Sequence, residues 1–147
     1  MRLVREPIDA AALLARVAGR GRGATVLFLG TVRDRDPKAA GREVVAIDYS
    51  AYEPMAERVL EAIERDLGAE HDGLTVALVH RLGTLDVGDA SIAIAAASPR
   101  RDAAFAAARN ALERVKREAP IWKLERYADG SSSWREEEAL NPPDAPR

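Results

Sequence analysis

The sequence predicts an α+β fold, a largely antiparallel sheet packed with helices in a single domain. Three observations carry this. Strand-like apolar runs are mixed along the chain with three helical runs, which points to helices lying against an antiparallel sheet. Two of the strand runs, 73–85 and 90–98, face one another across "DVGD", a tight-turn sequence that predicts a hairpin. The 147 residues, 47% of them hydrophobic, suffice for one core and make a second domain unnecessary. The domain is expected over 1–140, with "NPPDAPR", 141–147, as a flexible tail.

"MRLVRE" reads as a short first strand, and "EPIDAAALLARVAGRG" as a helix opened near Pro7 and Asp9 and closed by the Gly21 and Gly23 region. "ATVLFLGTV" is too apolar for a half-exposed strand and is expected to be buried and central. The charged "RDRDPKAAGR", 33–42, buries too little to order itself and is expected to be a mobile loop. "EVVAIDYSAY" resumes as a strand. In the following helix, "EPMAERVLEAIERDLG", Met55, Val59, Ile63 and Leu67 recur at helical spacing and form its expected core face. The longest helix, "RRDAAFAAARNALERVKREA", should bury Phe105, Leu112 and Val115, and Pro120 ends it. "IWKLERYAD" and "SSWREEE" close the fold as strands around the Asp129-Gly130 turn.

Composition removes whole classes of function. With 22 basic and 24 acidic residues the net charge is -2, so no global field recruits nucleic acid or an acidic membrane. The aromatic content of 5% also argues against stacking on single strands. The chain has no cysteine, which excludes disulfides, thiolate metal sites and a cysteine nucleophile. Phosphate loops, nucleophile elbows and HExxH motifs are likewise missing, so no metal and no cofactor is expected. "MRLVREPIDA" lacks the marks of a signal or transit peptide, and a cytoplasmic location is the expectation.

The remaining candidates are basic residues placed where the chain turns. Arg33 directly follows the apolar run "VLFLGTV". Arg100 and Arg101 open the longest helix, where backbone N–H groups already favour an anion, although Asp102 beside them offers a purely structural partner. Lys116 falls four residues after Leu112, at the edge of the buried stripe. Lys123 alternates with Trp122 and Leu124 and faces away from them. Cations brought together in this way loosen one another's protons and attract anions. His80, on an apolar strand face, reads as a core or turn-capping histidine, and His71 forms no metal spacing with it.

Taken together, "FLGTVRD", "YSAYEPMAE", "VHRLGTLDVGD", "SPRR" and "VKREAPIWKLE" resemble the large, catalytic subunit family of molybdopterin synthase, from about Phe28 to Trp134. The resemblance implies an α/β hammerhead fold and a homodimer within a heterotetramer. It implies a small ubiquitin-like partner whose C-terminal Gly-Gly carries a thiocarboxylate, and transfer of two sulfurs to cyclic pyranopterin monophosphate. By the same resemblance, Lys116 is the catalytic lysine and Lys123 the second active-site lysine, with Arg33, Arg100 and Arg101 binding substrate. Arg100 stands where the family usually has histidine, so anion binding is its expected role. Ser50 stands where relatives often carry an acid. The competing reading is a non-catalytic anion-binding scaffold that docks a small acidic-tailed protein.

Overall fold

The structure, a computed structural model, describes residues 1–39 and 41–135. The expected tail at 141–147 and the last residues of "SSWREEE" lie outside them. The chain runs β1 (Leu3–Val4), α1 (Ala10–Val17), β2 (Ala24–Thr31), a 3-10 turn (Pro37–Ala39), β3 (Val44–Ala51) and α2 (Glu53–Gly68). It continues as β4 (Thr75–Arg81), β5 (Gly83–Asp86), β6 (Ala90–Ser98), α3 (Arg101–Glu118), β7 (Ile121–Tyr127) and β8 (Ser132–Arg135). The strands form two four-stranded sheets, ordered β1-β4-β6-β2 and β5-β3-β7-β8. Every pair is antiparallel except β1 with β4. The α+β expectation therefore holds, with the strands divided between two sheets.

The hairpin of 73–85 with 90–98 is present as β4 against β6, Thr75 opposite Ala97 and His80 opposite Ile92. The first run, however, breaks after Arg81. Gly83 takes a φ of 98°, a left-handed conformation that glycine adopts without steric cost, and Gly83–Asp86 crosses to the second sheet, pairing with β3. One strand-like run thus serves both sheets and links them beneath the future site.

The interior strands of the first sheet are β4 and β6, not β2. Ala93, Ala95 and Ala97 are buried on one face under α1, while Ile92, Ile94 and Ala96 join the larger core formed with α2 and α3. Small side chains let helices close over both faces. β2 is an edge strand with alternating exposure, and Leu27 and Leu29 are 36% and 42% exposed. Its apolar run was misleading because its outward face has no covering helix among the described residues.

Two helix faces also differ from expectation. On α2 the buried stripe is Ala56, Leu60, Ile63 and Leu67, and Met55 is 45% exposed. On α3 it is Ala104, Ala107, Ala108, Ala111 and Val115, with Leu112 packed at its edge, while Phe105 is 63% exposed. An alanine stripe brings α3 close to the sheet and leaves no depth for a phenylalanine. The charged stretch at 33–42 has local order as well: Arg35 bridges to Glu43, Val44 N–H donates to Asp34 O at 2.8 Å, and Ala39 is buried.

Candidate active site

A cavity of about 320 Å³ opens between the two sheets and the C-terminal end of α3. Its floor includes Phe28 and Gly30 of β2, Ile92 of β6, His80 of β4 and Tyr49 of β3. Three cations enter its wall from three different elements: Arg33 just beyond β2, Lys116 on the last turn of α3, and Lys123 on β7. No Asp or Glu is among the described residues lining it. A cation at the end of a helix also meets the favourable end of its dipole.

Local structure explains each placement. β2 must end at Thr31, and Val32 N–H then donates to Asp89 O at 2.9 Å, so Arg33 leaves the sheet at the cavity. α3 stops at Glu118 because Pro120 follows. Ile121 N–H donates to Ala119 O at 2.8 Å and Tyr52 N–H to Pro120 O at 3.1 Å, so two residues turn the chain from helix into β7. The tight link brings Lys116 and Lys123 into one cavity. On β7, Lys123 is half-buried on the face shared with Glu125 and Tyr127, while Trp122 on the other face is 50% exposed and still reaches the cavity rim.

Of the five basic residues singled out in the sequence, the structure brings together Arg33, Lys116 and Lys123. Arg100 and Arg101 stand at the opposite end of α3, beside Gly23, Pro99 and Asp102. Lys116 lies fifteen residues beyond Arg101, about 22 Å along a helix rising 1.5 Å per residue. The structural partner foreseen for them is present, an exposed Arg100–Asp102 pair at 3.7 Å, which contributes little.

His80 is buried, its Nδ1–H donates to the Arg81 carbonyl at 2.9 Å, and its ring meets Tyr49 edge-on at 5.1 Å. It is the turn-capping histidine expected, and it also forms cavity floor. Tyr49, Phe28 and Trp122 were not anticipated in the site. Their sequence signal is that each stands in one of the segments that carry the resemblance.

A protein-family model described as MoaE protein matches residues 3–118. The chain belongs to the MoaE family. A curated relative from Bacillus subtilis (strain 168), named molybdopterin synthase catalytic subunit, is 39% identical over 128 residues, covering 87% of this chain and 80% of its own length. The crystal structure of molybdopterin synthase from Staphylococcus aureus superposes with a TM-score of 0.85 at 35% identity, covering 91% of this chain and 95% of its own. A complex of subunits 1 and 2 of molybdopterin-converting factor from Helicobacter pylori 26695 shares the fold, with a TM-score of 0.74 at 21% identity, covering 93% and 90%. The chain's family thus includes proteins named molybdopterin synthase catalytic subunit. Among the described residues there is no group of three or more His, Asp or Glu that could hold a metal ion, and no helix is long and apolar enough to cross a membrane.

Proposed function

We propose that this chain transfers two sulfurs from the thiocarboxylated C-terminus of a small ubiquitin-like subunit to cyclic pyranopterin monophosphate, forming the dithiolene of molybdopterin. The observation that carries it is the convergence of Arg33, Lys116 and Lys123 on one cavity that no carboxylate lines among the described residues. Both reactants are anions, a phosphate ester and a thiocarboxylate, and fixed cations bring them together against their own repulsion. Arg33 suits the phosphate because its planar fork donates two parallel hydrogen bonds. A lysine adds a proton that it can give or take, which arginine cannot. The sulfur arrives with the partner, so a chain without cysteine can perform this chemistry. Each transfer makes one carbon–sulfur bond to the pterin in place of a carbon–oxygen bond, whose oxygen leaves, and hydrolysis of the acyl–sulfur bond frees the carrier's tail as a carboxylate. The two-subunit assembly of the Helicobacter pylori relative supports a partner subunit here.

Arg100 and Arg101 serve this reading only from a second copy. β2 is an edge strand running from Ala24, beside Gly23 and the arginine pair, to Thr31 at the cavity. Antiparallel pairing of two β2 edges would set the arginines of one copy near the cavity of the other.

The test is reconstitution with the thiocarboxylated partner and the pterin, comparing the parent with Lys116→Ala. Product from the parent and a loss of about 100-fold or more in the folded variant are expected. Near-parent turnover by Lys116→Ala would remove Lys116 from the chemistry. A parent that binds the partner yet makes no product would leave a scaffold.

A further inference from the structure

Beside the cavity, a chain of charges connects the loop that carries Arg33 to the strand that carries Lys123. Arg135 of β8 lies directly opposite Lys123 in the register. Its Nε donates to Glu125 Oε1 at 2.6 Å and lies 3.6 Å from Asp36 Oδ2, and its Nη2 donates to the Tyr127 hydroxyl at 3.1 Å. Glu125 is 2% exposed. Arg135 and the Tyr127 hydroxyl, which donates to it at 3.2 Å, satisfy its buried oxygens. Asp36 is three residues beyond Arg33. Its Oδ1 accepts the Lys38 N–H at 2.9 Å, fixing the local turn. A second strap holds the far end of the loop, where the Arg42 guanidinium lies 5.2 Å from the centre of the Tyr127 ring.

Asp36 responds electrostatically to these neighbours. Burial raises its pKa, but the Lys38 N–H, a hydrogen bond with Glu125 and the charges of Arg135 and Lys123 outweigh burial and hold it below the usual carboxylate range. Lys123 is among those charges, so the field of the cavity lysine reaches the loop carboxylate. Around Lys123 stand Tyr49 across β3, Arg135 across β8 and Glu125 beside it on β7, with Lys116, His80 and Arg33 in the cavity walls. Asp36 is thus the carboxylate that the Arg33 loop contributes to this cationic surrounding.

We propose that Asp36 is a positioning residue for the reaction, setting with Arg135 and Glu125 the separation between Arg33 and Lys123 that fits the substrate's anionic groups. The inference rests on the sulfur-transfer reading of the cavity. It does not place Asp36 on the substrate, which it would repel. Its action is through Arg135: without Asp36 the Arg33 loop loses its tie to β8 at the residue that lies opposite Lys123.

The experiment uses the assembled enzyme with its thiocarboxylated partner and compares Asp36→Asn, Asp36→Glu and the parent. The expected result is a KM for the phosphorylated pterin raised about tenfold in Asp36→Asn with kcat changed less than about threefold, and a return of KM toward the parent in Asp36→Glu. A second readout is independent of turnover. Lys38, Lys116 and Lys123 are the three lysines of the chain, so side-chain NMR of labelled lysine resolves each, and the Lys123 signal should move in Asp36→Asn while that of Lys116 stays in place. An unmoved Lys123 signal, or a KM within about twofold of the parent, overturns the proposal. If the parent itself shows no turnover, the sulfur-transfer reading fails, and the NMR signal alone decides whether Asp36 acts on Lys123.

Discussion

Asp48 shows how single charged residues fix the second sheet. It lies on the outer side of β3, where the Arg126 guanidinium of β7 donates to its carboxylate and the Thr84 hydroxyl of β5 donates at 2.7 Å. One side chain thus joins three strands. The hydrogen bond from Arg126 lowers its pKa most, burial opposes this, and Thr84 adds to the lowering. Because the folded value lies below the unfolded one, this stability is complete above the unfolded value near 3.9 and is lost as pH falls through the lowered folded value. Asp36 and Glu118 are shifted in the same direction, Glu118 chiefly by its hydrogen bond with Arg114. Urea midpoints should therefore stay level from about pH 7 to about pH 5 and fall below about pH 4. Asp48→Asn should lose less than the parent over that last interval, and an identical acid slope would show that Asp48 contributes nothing to it. That Arg33, Lys116 and Lys123 could meet was readable in the sequence because Arg33 and Lys116 stand at the ends of well-marked elements and Lys123 just past the Pro120 break. The placement of Asp36 and Glu125 was not, since their partners come from other strands and no spacing along the chain records that.

Among the elements, β2 and β6 determine the width of the cavity floor. A Cβ placed on Gly30 would come within 2.7 Å of Ile92 Cγ2 across the strand pair. Ile92 is β-branched and 6% exposed, so it has little freedom to withdraw. Gly30→Ala should cost about 1–3 kcal/mol in chemical denaturation, and a variant within ~0.5 kcal/mol of the parent would mean that the strands part easily. The order of elements along the chain was readable from turn residues and periodicity. The faces were less so: α3 carries alanine on its buried and its outer side alike, so the stripe from Ala104 to Ala111 gives no signal and Phe105 reads as a core residue. The break at Gly83 was hidden inside a continuous apolar run. Only the demand of two sheets for one strand reveals it.

At the scale of the whole molecule, the distance between the two basic clusters is the feature that most needs explaining. One chain places Arg33, Lys116 and Lys123 at one end of α3 and Arg100 with Arg101 at the other. The uncovered edge of β2, with Leu27 and Leu29 exposed, has the length to relate them across a two-fold axis: seven steps at about 3.4 Å per residue give ~24 Å, close to the ~22 Å along α3. An unprotected apolar edge is also the kind of surface that another strand covers. Two inactive variants test this arrangement, Lys116→Ala and the double change Arg100→Ala with Arg101→Ala, each purified alone and then coexpressed. If the arginines act on the other copy's substrate, half of the randomly mixed dimers contain one variant of each kind. In each of these, one of the two sites has both its lysine and its arginines, so about a quarter of parent activity should return. If the arginines act within their own chain, no combination restores a complete site and activity stays at the level of the separate variants. Full activity of the double arginine variant by itself would exclude the pair from catalysis in either arrangement.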